Sequence, residues 1–304
     1  MNKLLNQAFT LIELLVVIAI IGILSGLIVV SMSGVTEKAN VAKAQVFSNS
    51  LKNSLLLNLV SEWRLDENTG TTTADSWSGG NAGTLTGTTL PVWKTGNDCV
   101  NGSCLQFDGV DDFVYFGTNS NLSMGLGDAT VSFWVKFDNA IPLANEGLAS
   151  CGGGGTAAGY RLQRLVTTSQ LWCGFTDGTI SYISAFLSPP GSLTSNTWYN
   201  IVVVFDRDSV VQAYINGEKQ TGYSLTISAL QGNIVNGFNY NIGRYAGGNY
   251  YLAGKMDEVR VYNAAMPTSQ IKEQYYAGLN SLLINGSISK EEYSNKVESL
   301  AAQI

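Results

Sequence analysis

The chain has 304 residues, with 17 Lys plus Arg against 23 Asp plus Glu, a net charge of −6 and 13% charged residues. The absence of histidine excludes Ser-His-Asp and Cys-His catalytic sets and histidine-bearing zinc or iron sites. No basic stripe is present to displace counterions, which excludes nucleic acid as a partner, while 33 glycines and 10% aromatic residues describe a turn-rich β domain.

From Leu14 to Thr36 no charge interrupts the sequence. At about 1.5 Å per residue the run covers roughly 34 Å, enough for a hydrocarbon core of about 30 Å. The short polar leader Met1–Ala8 precedes this run, whereas a secretory signal has its small-residue cleavage site after the apolar stretch. Glu13 places a carboxylate at the head of the apolar segment, where an acid without a partner is costly. Gly22 and Gly26 are points where the helix softens or packs closely. Beyond Glu37 and Lys38, the spacing of Val41, Ala44, Phe47, Leu51, Leu55 and Leu59 predicts an amphipathic continuation of the helix to residue 61, docked on the domain that follows.

From Trp63 the pattern becomes short alternating or apolar runs separated by Gly, Asn, Asp and Ser. Their number and spacing predict a mainly β fold, a jelly-roll β-sandwich of about a dozen strands. Asn216-Gly217 predicts a two-residue type I′ hairpin turn. Trp134 and Trp198, inside strands, are expected in the core. Residues 268–283 read as a helix capped by Thr268 or Ser269 after Pro267. Ser289-Lys-Glu-Glu292 is a capping box that starts a second helix, with Tyr293, Val297 and Leu300 on one face.

The four cysteines allow three pairings. Cys99 and Cys104 flank an Asn101-Gly102 turn that brings them within disulfide reach, leaving Cys151 for Cys173. Loop carboxylates and amides cluster at Asp66-Glu67-Asn68, Asp75, Asn81, Asp108, Asp111, Asp112 and Asp257. Oxygen-rich loops of this kind suit a structural Ca²⁺, with Asp75, Asp108 and Asp257 as the candidate ligands; serving their own turns is the competing role. For an extracellular ligand the candidates are the Gly152–Gly155 loop, with Gly153 at its centre, and Tyr245, Tyr250 and Tyr251. Glycine admits a ligand to the backbone and tyrosine offers a stacking face; Trp77, Trp93 and Trp172 add loop aromatics. Tyr250 and Tyr251 are adjacent, so in a strand only one of them faces a given side.

Two segments resemble known families. Met1–Ala8 followed by Phe9-Thr-Leu-Ile-Glu13-Leu-Leu-Val-Val-Ile resembles the class III signal of type IV prepilins and pseudopilins. The resemblance implies cleavage between Ala8 and Phe9 by a prepilin peptidase, methylation of the new Phe9 amine, and pairing of Glu13 with the Phe9 amine of the next pilin-like subunit. Ala8 stands where the family usually has Gly, and Val30 where major pilins often have Pro. The implied topology is a single pass of the cytoplasmic membrane with the β domain extracytoplasmic, at the cell surface or in a pilus after assembly.

The second resemblance covers residues 62–277. It is carried by Asp75-Ser-Trp-Ser-Gly-Gly-Asn81, Leu105-Gln-Phe-Asp-Gly-Val-Asp-Asp112, Val131-Ser-Phe-Trp-Val, Trp198-Tyr-Asn-Ile-Val, Tyr214-Ile-Asn-Gly217 and Gly254-Lys-Met-Asp-Glu-Val-Arg-Val-Tyr262. Together these resemble the laminin G-like group of concanavalin A-like lectin/glucanase jelly rolls. Four segments follow: leader 1–8, helix 9–61, jelly roll 62–267 and helical segment 268–304. The implied function is a pilin-like, membrane-anchored surface protein displaying an adhesion module for glycans or protein partners. The alternative is a purely structural type IV pilus subunit or type II secretion pseudopilin. An enzyme is not expected, because no Glu-x-Asp-x-x-Glu string of the laminarinase kind occurs.

Overall fold

A computed structural model describes residues 58–301, apart from 79, 119–121, 153–157, 180–181, 235–238 and 246. The expected leader and membrane helix, with Ala8, Phe9 and Glu13, lie outside the described residues, as does Gly153. Among the described residues no helix is long and apolar enough to cross a membrane.

The chain begins with β1 (Leu59–Trp63), β2 (Thr72–Thr73), β3 (Gly83–Thr86), β4 (Val92–Thr95), β5 (Ser103–Asp108) and β6 (Phe113–Tyr115). The long strands follow: β7 (Ala129–Phe137), β8 (Glu146–Gly152), β9 (Gly159–Arg164), β10 (Leu171–Thr176), β11 (Ile183–Phe186) and β12 (Trp198–Phe205). β13 (Val210–Ile215), β14 (Glu218–Thr226), β15 (Tyr240–Ile242), β16 (Arg244–Tyr245), β17 (Tyr250–Tyr251) and β18 (Ala253–Tyr262) complete the strands. Helices α1 (Thr268–Ile284) and α2 (Lys290–Ala301) end the fold.

Two antiparallel sheets form the sandwich. The first has the order β14-β13-β12-β7-β18-β5-β4, with β1 also paired to β18; the second has β11-β10-β9-β8-β15-β6-β3-β2. Alternation along each strand assigns the faces. Val131, Phe133, Val135 and Phe137 of β7 and Tyr199, Ile201, Val203 and Phe205 of β12 enter the inter-sheet core. Their neighbours Trp134, Trp198, Val202 and Val204 point the other way and are buried too, because the C-terminal helices cover that side. A strand covered on both faces reads as a continuous apolar run, which is why Trp198–Phe205 does not alternate. The expected core Trp134 is therefore core, yet on the helix side, stacked on Tyr275 with centroids 5.7 Å apart.

The inter-sheet core is anchored by Trp63, whose ring lies 4.1 Å from Phe116 and whose Nε1 donates to the Asn81 carbonyl at 2.6 Å. Asn216 and Gly217 both have positive φ (54° and 77°), the geometry the Asn-Gly turn predicts between β13 and β14. The Ser289 hydroxyl accepts from the Glu292 amide at 3.1 Å, capping α2, and Leu300 is buried with Tyr293 and Val297 packed beside it. At α1, Pro267 occupies the cap position without a side-chain hydrogen bond, so neither Thr268 nor Ser269 caps the helix.

Two expectations require correction. Leu59, assigned to the amphipathic helix, begins β1 opposite Tyr262 of β18, so sheet pairing rather than helical periodicity sets residues 59–61. Cys99 and Cys104 do form a disulfide, with Cα atoms 5.5 Å apart. Cys151 and Cys173 remain buried thiols and do not bond to each other. Cys151 lies opposite Tyr160, and Cys173 opposite Leu162, so β9 runs between them. Two strand spacings and a two-residue offset separate their Cα atoms by about 12 Å, well beyond disulfide reach. Burial pushes the Cys173 thiol far up, against the pull of Arg161, which makes it inert.

Candidate ligand-binding face

The outer face of the first sheet lies under α1 and α2, whereas among the described residues the short β16–β17 hairpin crosses the outer face of the second sheet. On β9, Tyr160 and Leu162 enter the core, so alternation turns Arg161 outward. Gly174 of β10 is its cross-strand partner. A Cβ at Gly174 would overlap the Tyr182 hydroxyl, so this glycine gives Tyr182 room to lie across the sheet. Gly147 plays the same part for the hairpin, because a Cβ there would overlap the backbone of Arg244 and Tyr245. The Ser150 hydroxyl then ties the hairpin down by donating to the Arg244 carbonyl at 3.1 Å.

These placements build a row of rings and guanidinium groups. The Arg161 guanidinium lies 4.1 Å from the Tyr182 ring, 4.6 Å from Tyr245 and 5.0 Å from Trp172, and its Nε donates to the Tyr182 hydroxyl. Tyr245 stacks on Tyr250 with centroids 6.0 Å apart. On the other side of the hairpin, Arg244 lies 4.6 Å from the Phe113 ring and 5.5 Å from Tyr251. Arg161 on β9 and Phe113 on β6 are three strands apart, so the row is about 14 Å long. Trp172, Tyr182, Tyr250 and Tyr251 are half-buried, and Phe186 at the β11 edge is exposed.

The three predicted tyrosines therefore come together with different standing. Tyr250 and Tyr251 present surface on opposite sides of the hairpin, as their adjacency requires. Tyr245 is only 5% exposed and acts as the platform on which Tyr250 and Arg161 rest rather than as a free stacking face. Gly152 closes β8. Arg161 and Tyr182, at the β9 end of the row, are not among the residues the sequence singles out. The signal for Arg161 lies in its own strand, where Tyr-Arg-Leu-Gln alternates and the arginine falls on the solvent side.

The candidate calcium ligands do not converge. Asp75 Oδ1 accepts from the Glu62, Trp77 and Ser78 amides, and Oδ2 from the Ser78 hydroxyl and Asn81. Burial works against this charge, yet the hydrogen bonds outweigh it and hold the Asp75 carboxyl below its usual range. Asp108 accepts from the Val110 amide at 2.8 Å and shapes its own turn. Asp257 is fully buried in β18, where Oδ2 accepts from the Val100 and Asn101 amides; burial, with the Glu258 charge, pushes its carboxyl strongly up. Among the described residues no group of three acidic, Cys or His side chains is placed to hold a metal ion.

The remaining buried charges fasten loops. Arg164 pairs with Glu146 at 3.0 Å and donates to the carbonyls of Leu193, Asn139 and Ala140. Burial pushes the Glu146 carboxyl up to about 7 against the pull of Arg164. A separate concavity of about 510 Å³ lies along the seam between the β13–β14 hairpin and the two helices, with Glu218, Asn295 and Ser299 among its walls.

Residues 4–29 match the prokaryotic N-terminal methylation motif. No curated protein matches the chain. Among solved structures, the binding domain of Paraclostridial Mosquitocidal Protein 1 is similar at 18% identity and TM-score 0.59, over 74% of this chain and 53% of that one. The botulinum neurotoxin serotype D binding domain is similar at 14% identity and TM-score 0.56, over 75% and 53%. The chain thus spans about half the length of these two. Domain 4 of AbnA, a GH43 extracellular arabinanase from Geobacillus stearothermophilus, solved in complex with arabinotriose, is similar at 16% identity and TM-score 0.52, over 71% of this chain and 97% of that domain. At these identities the shared property is the fold. Residues 108–272, more than half of the sequence, match the family model of that fold, and the chain belongs to the concanavalin A-like lectin/glucanases superfamily.

Proposed function

We propose that this protein is a pilin-like, membrane-anchored surface protein whose β-sandwich binds glycans outside the membrane through the outer face of its second sheet. The observation that carries the reading is the contrast between the two sheets: one outer face is sealed by helices, while the other displays half-buried rings beside polar and cationic groups, the surface a sugar ring requires. The methylation motif at residues 4–29 supports export to the membrane and assembly with other pilin-like subunits after cleavage at Ala8-Phe9. The similarity to a domain solved with arabinotriose supports a saccharide as the ligand class. A chain without histidine and without paired catalytic carboxylates on a strand fits binding without hydrolysis.

A glycan array probed with the full-length chain in detergent micelles tests this. The expected result is retention of at least one saccharide class and its loss in Trp172→Ala. Retention of none overturns the reading in favour of a structural subunit, and retention unaffected by Trp172→Ala moves the site elsewhere.

A further inference from the structure

The arginines of this chain divide by the company they keep. Arg64 and Arg260 pair with Glu62, Arg260 also with Glu258, and Arg164 with Glu146. Arg207 donates to the carbonyls of Gly125, Leu230 and Gly232 and faces the charges of Asp177, Asp128 and Asp208. Arg164 and Arg207 also lie over rings, Phe137 and Phe175, but both are buried with their donors on backbone carbonyls, whereas Arg161 and Arg244 lie on the outer face of the second sheet. Neither takes part in an ion pair among the described residues, and both lie against aromatic rings on the same outer face.

A guanidinium held over rings keeps its charge and most of its donor edge. The only hydrogen bond of Arg161 among the described residues uses Nε, toward the Tyr182 hydroxyl, which orients the planar fork and leaves both Nη groups as donors. In a chain of net charge −6, these two guanidinium groups place cationic charge beside aromatic rings on one surface. A guanidinium fork matches the two oxygens of a carboxylate, and flanking rings supply a platform for the sugar that carries it.

Resting on the glycan-binding reading above, we infer that the ligand is a saccharide bearing a carboxylate, with the acid group on the Nη edge of Arg161, adjoining sugar faces on Trp172 and Tyr250, and a second acid group within reach of Arg244. A neutral sugar leaves both cations without an anion. The approximately 14 Å row suits a linear segment of several sugars rather than a single residue.

The test uses the full-length chain in detergent micelles and matched pairs of probes that differ in charge alone. Trigalacturonate is compared with its methyl ester, and sialyllactose with its sialic acid methyl ester, so that a uronate and a sialic acid source are distinguished. The acidic member of at least one pair is expected to bind about tenfold more tightly or better, with a preference that shrinks as salt rises. In Arg161→Gln that ratio falls toward one, and in Arg161→Lys, which keeps the charge but loses the fork, it falls part of the way. The ratio is internal to each variant, so partial loss of folded protein does not mimic the effect.

Equal affinity within both pairs, from a chain that still binds glycans on the array, overturns this inference and leaves the glycan reading standing. A ratio unmoved in Arg161→Gln overturns the role of Arg161. A sulfated trisaccharide bound as well as trigalacturonate overturns the choice of carboxylate. Absence of binding to every glycan overturns both readings together.

Discussion

The outer faces of the two sheets are made of the same kind of strand and meet opposite fates. On the first, Trp134 and Trp198 are pressed under α1 and α2, and Ser132, on the same face of β7 as Trp134, accepts from Gln274 of α1 at 2.9 Å. On the second, Trp172, Tyr182 and Arg161 remain half-buried among the described residues, beside a hairpin whose strands are two residues each. The difference teaches that an aromatic residue in a strand is not by itself a binding residue or a core residue. What decides is whether another element of the chain is long and apolar enough to cover it.

The largest effect that breaks the comparison is removal of one indole from each face. Trp134 is fully buried, and Trp134→Ala is expected to cost about 3–5 kcal/mol in denaturant unfolding. Trp172 is half-buried, and Trp172→Ala is expected to cost under about 1.5 kcal/mol while removing ligand retention. Equal stability losses would erase the distinction between a covered face and an open one.

A pair of glycines gives a sharper and smaller test. Gly278 of α1 faces Trp134, where a Cβ would overlap the indole, and Gly174 faces Tyr182 in the same way. Alanine in the interior of an exposed helix normally stabilises by about 1 kcal/mol relative to glycine. Gly278→Ala is nevertheless expected to destabilise by about 1–3 kcal/mol, because the indole has nowhere to move. In Gly174→Ala, Tyr182 swings toward solvent. Its melting temperature is expected to stay close to wild type while saccharide affinity falls, a split that thermal melts and titration resolve.

The smallest effect lies at the end of the arginine row, where Asp112 precedes Phe113. Burial, aided by the Asp108 and Asp111 charges, pushes the Asp112 carboxyl up to about 7 against the pull of the Asp108 amide. Between its unfolded value and 7 the folded state binds the extra proton. The stabilising contribution of this group is therefore complete below about pH 4 and is lost as pH rises through 7. Asp112→Asn removes the titration, so stability measured relative to wild type is expected to increase from pH 5 to pH 8. A parallel pair of pH profiles would contradict this.

Much of the architecture was legible where the signal is local. The Asn216-Gly217 turn, the Ser289 cap and the Cys99–Cys104 bridge each depend on residues a few positions apart. Period-two alternation identifies strands, and the unbroken run at Trp198 marks burial on both faces. What the sequence leaves open is which strand lies next to which. Cys151 and Cys173 are plausible partners by elimination, but β9 runs between them, and no spacing in the sequence reports that. The partners of the three aspartates proposed for calcium were equally hidden: Asp108 serves its own turn, but Asp75 accepts from Glu62 and Asp257 from Val100 and Asn101, across strands. At the candidate face, Tyr250 and Tyr251 were recognisable from their glycine-rich setting. Arg161 was not, because an outward-facing arginine on a strand looks ordinary until the rings of β10, the β11 approach and the hairpin are seen around it.

The pairing of β1 with β18 bears on how the domain comes into being. Glu62 and Arg260 meet across 198 positions of sequence, and β5 also waits for β18 as its neighbour. Contacts this remote form late, since the loop they close must be ordered before they are rewarded. A chain delivered from its amino end presents Trp63 and the edge of β1 for the whole interval until residue 260 arrives. The bridge between Cys99 and Cys104, five positions apart, and the hairpins of sequence-adjacent strands such as β9–β10 and β13–β14 can close early and locally. The sandwich is thus completed by its last strand, and any agent that stalls delivery before β18 leaves an open, sticky half-sheet rather than a smaller working domain.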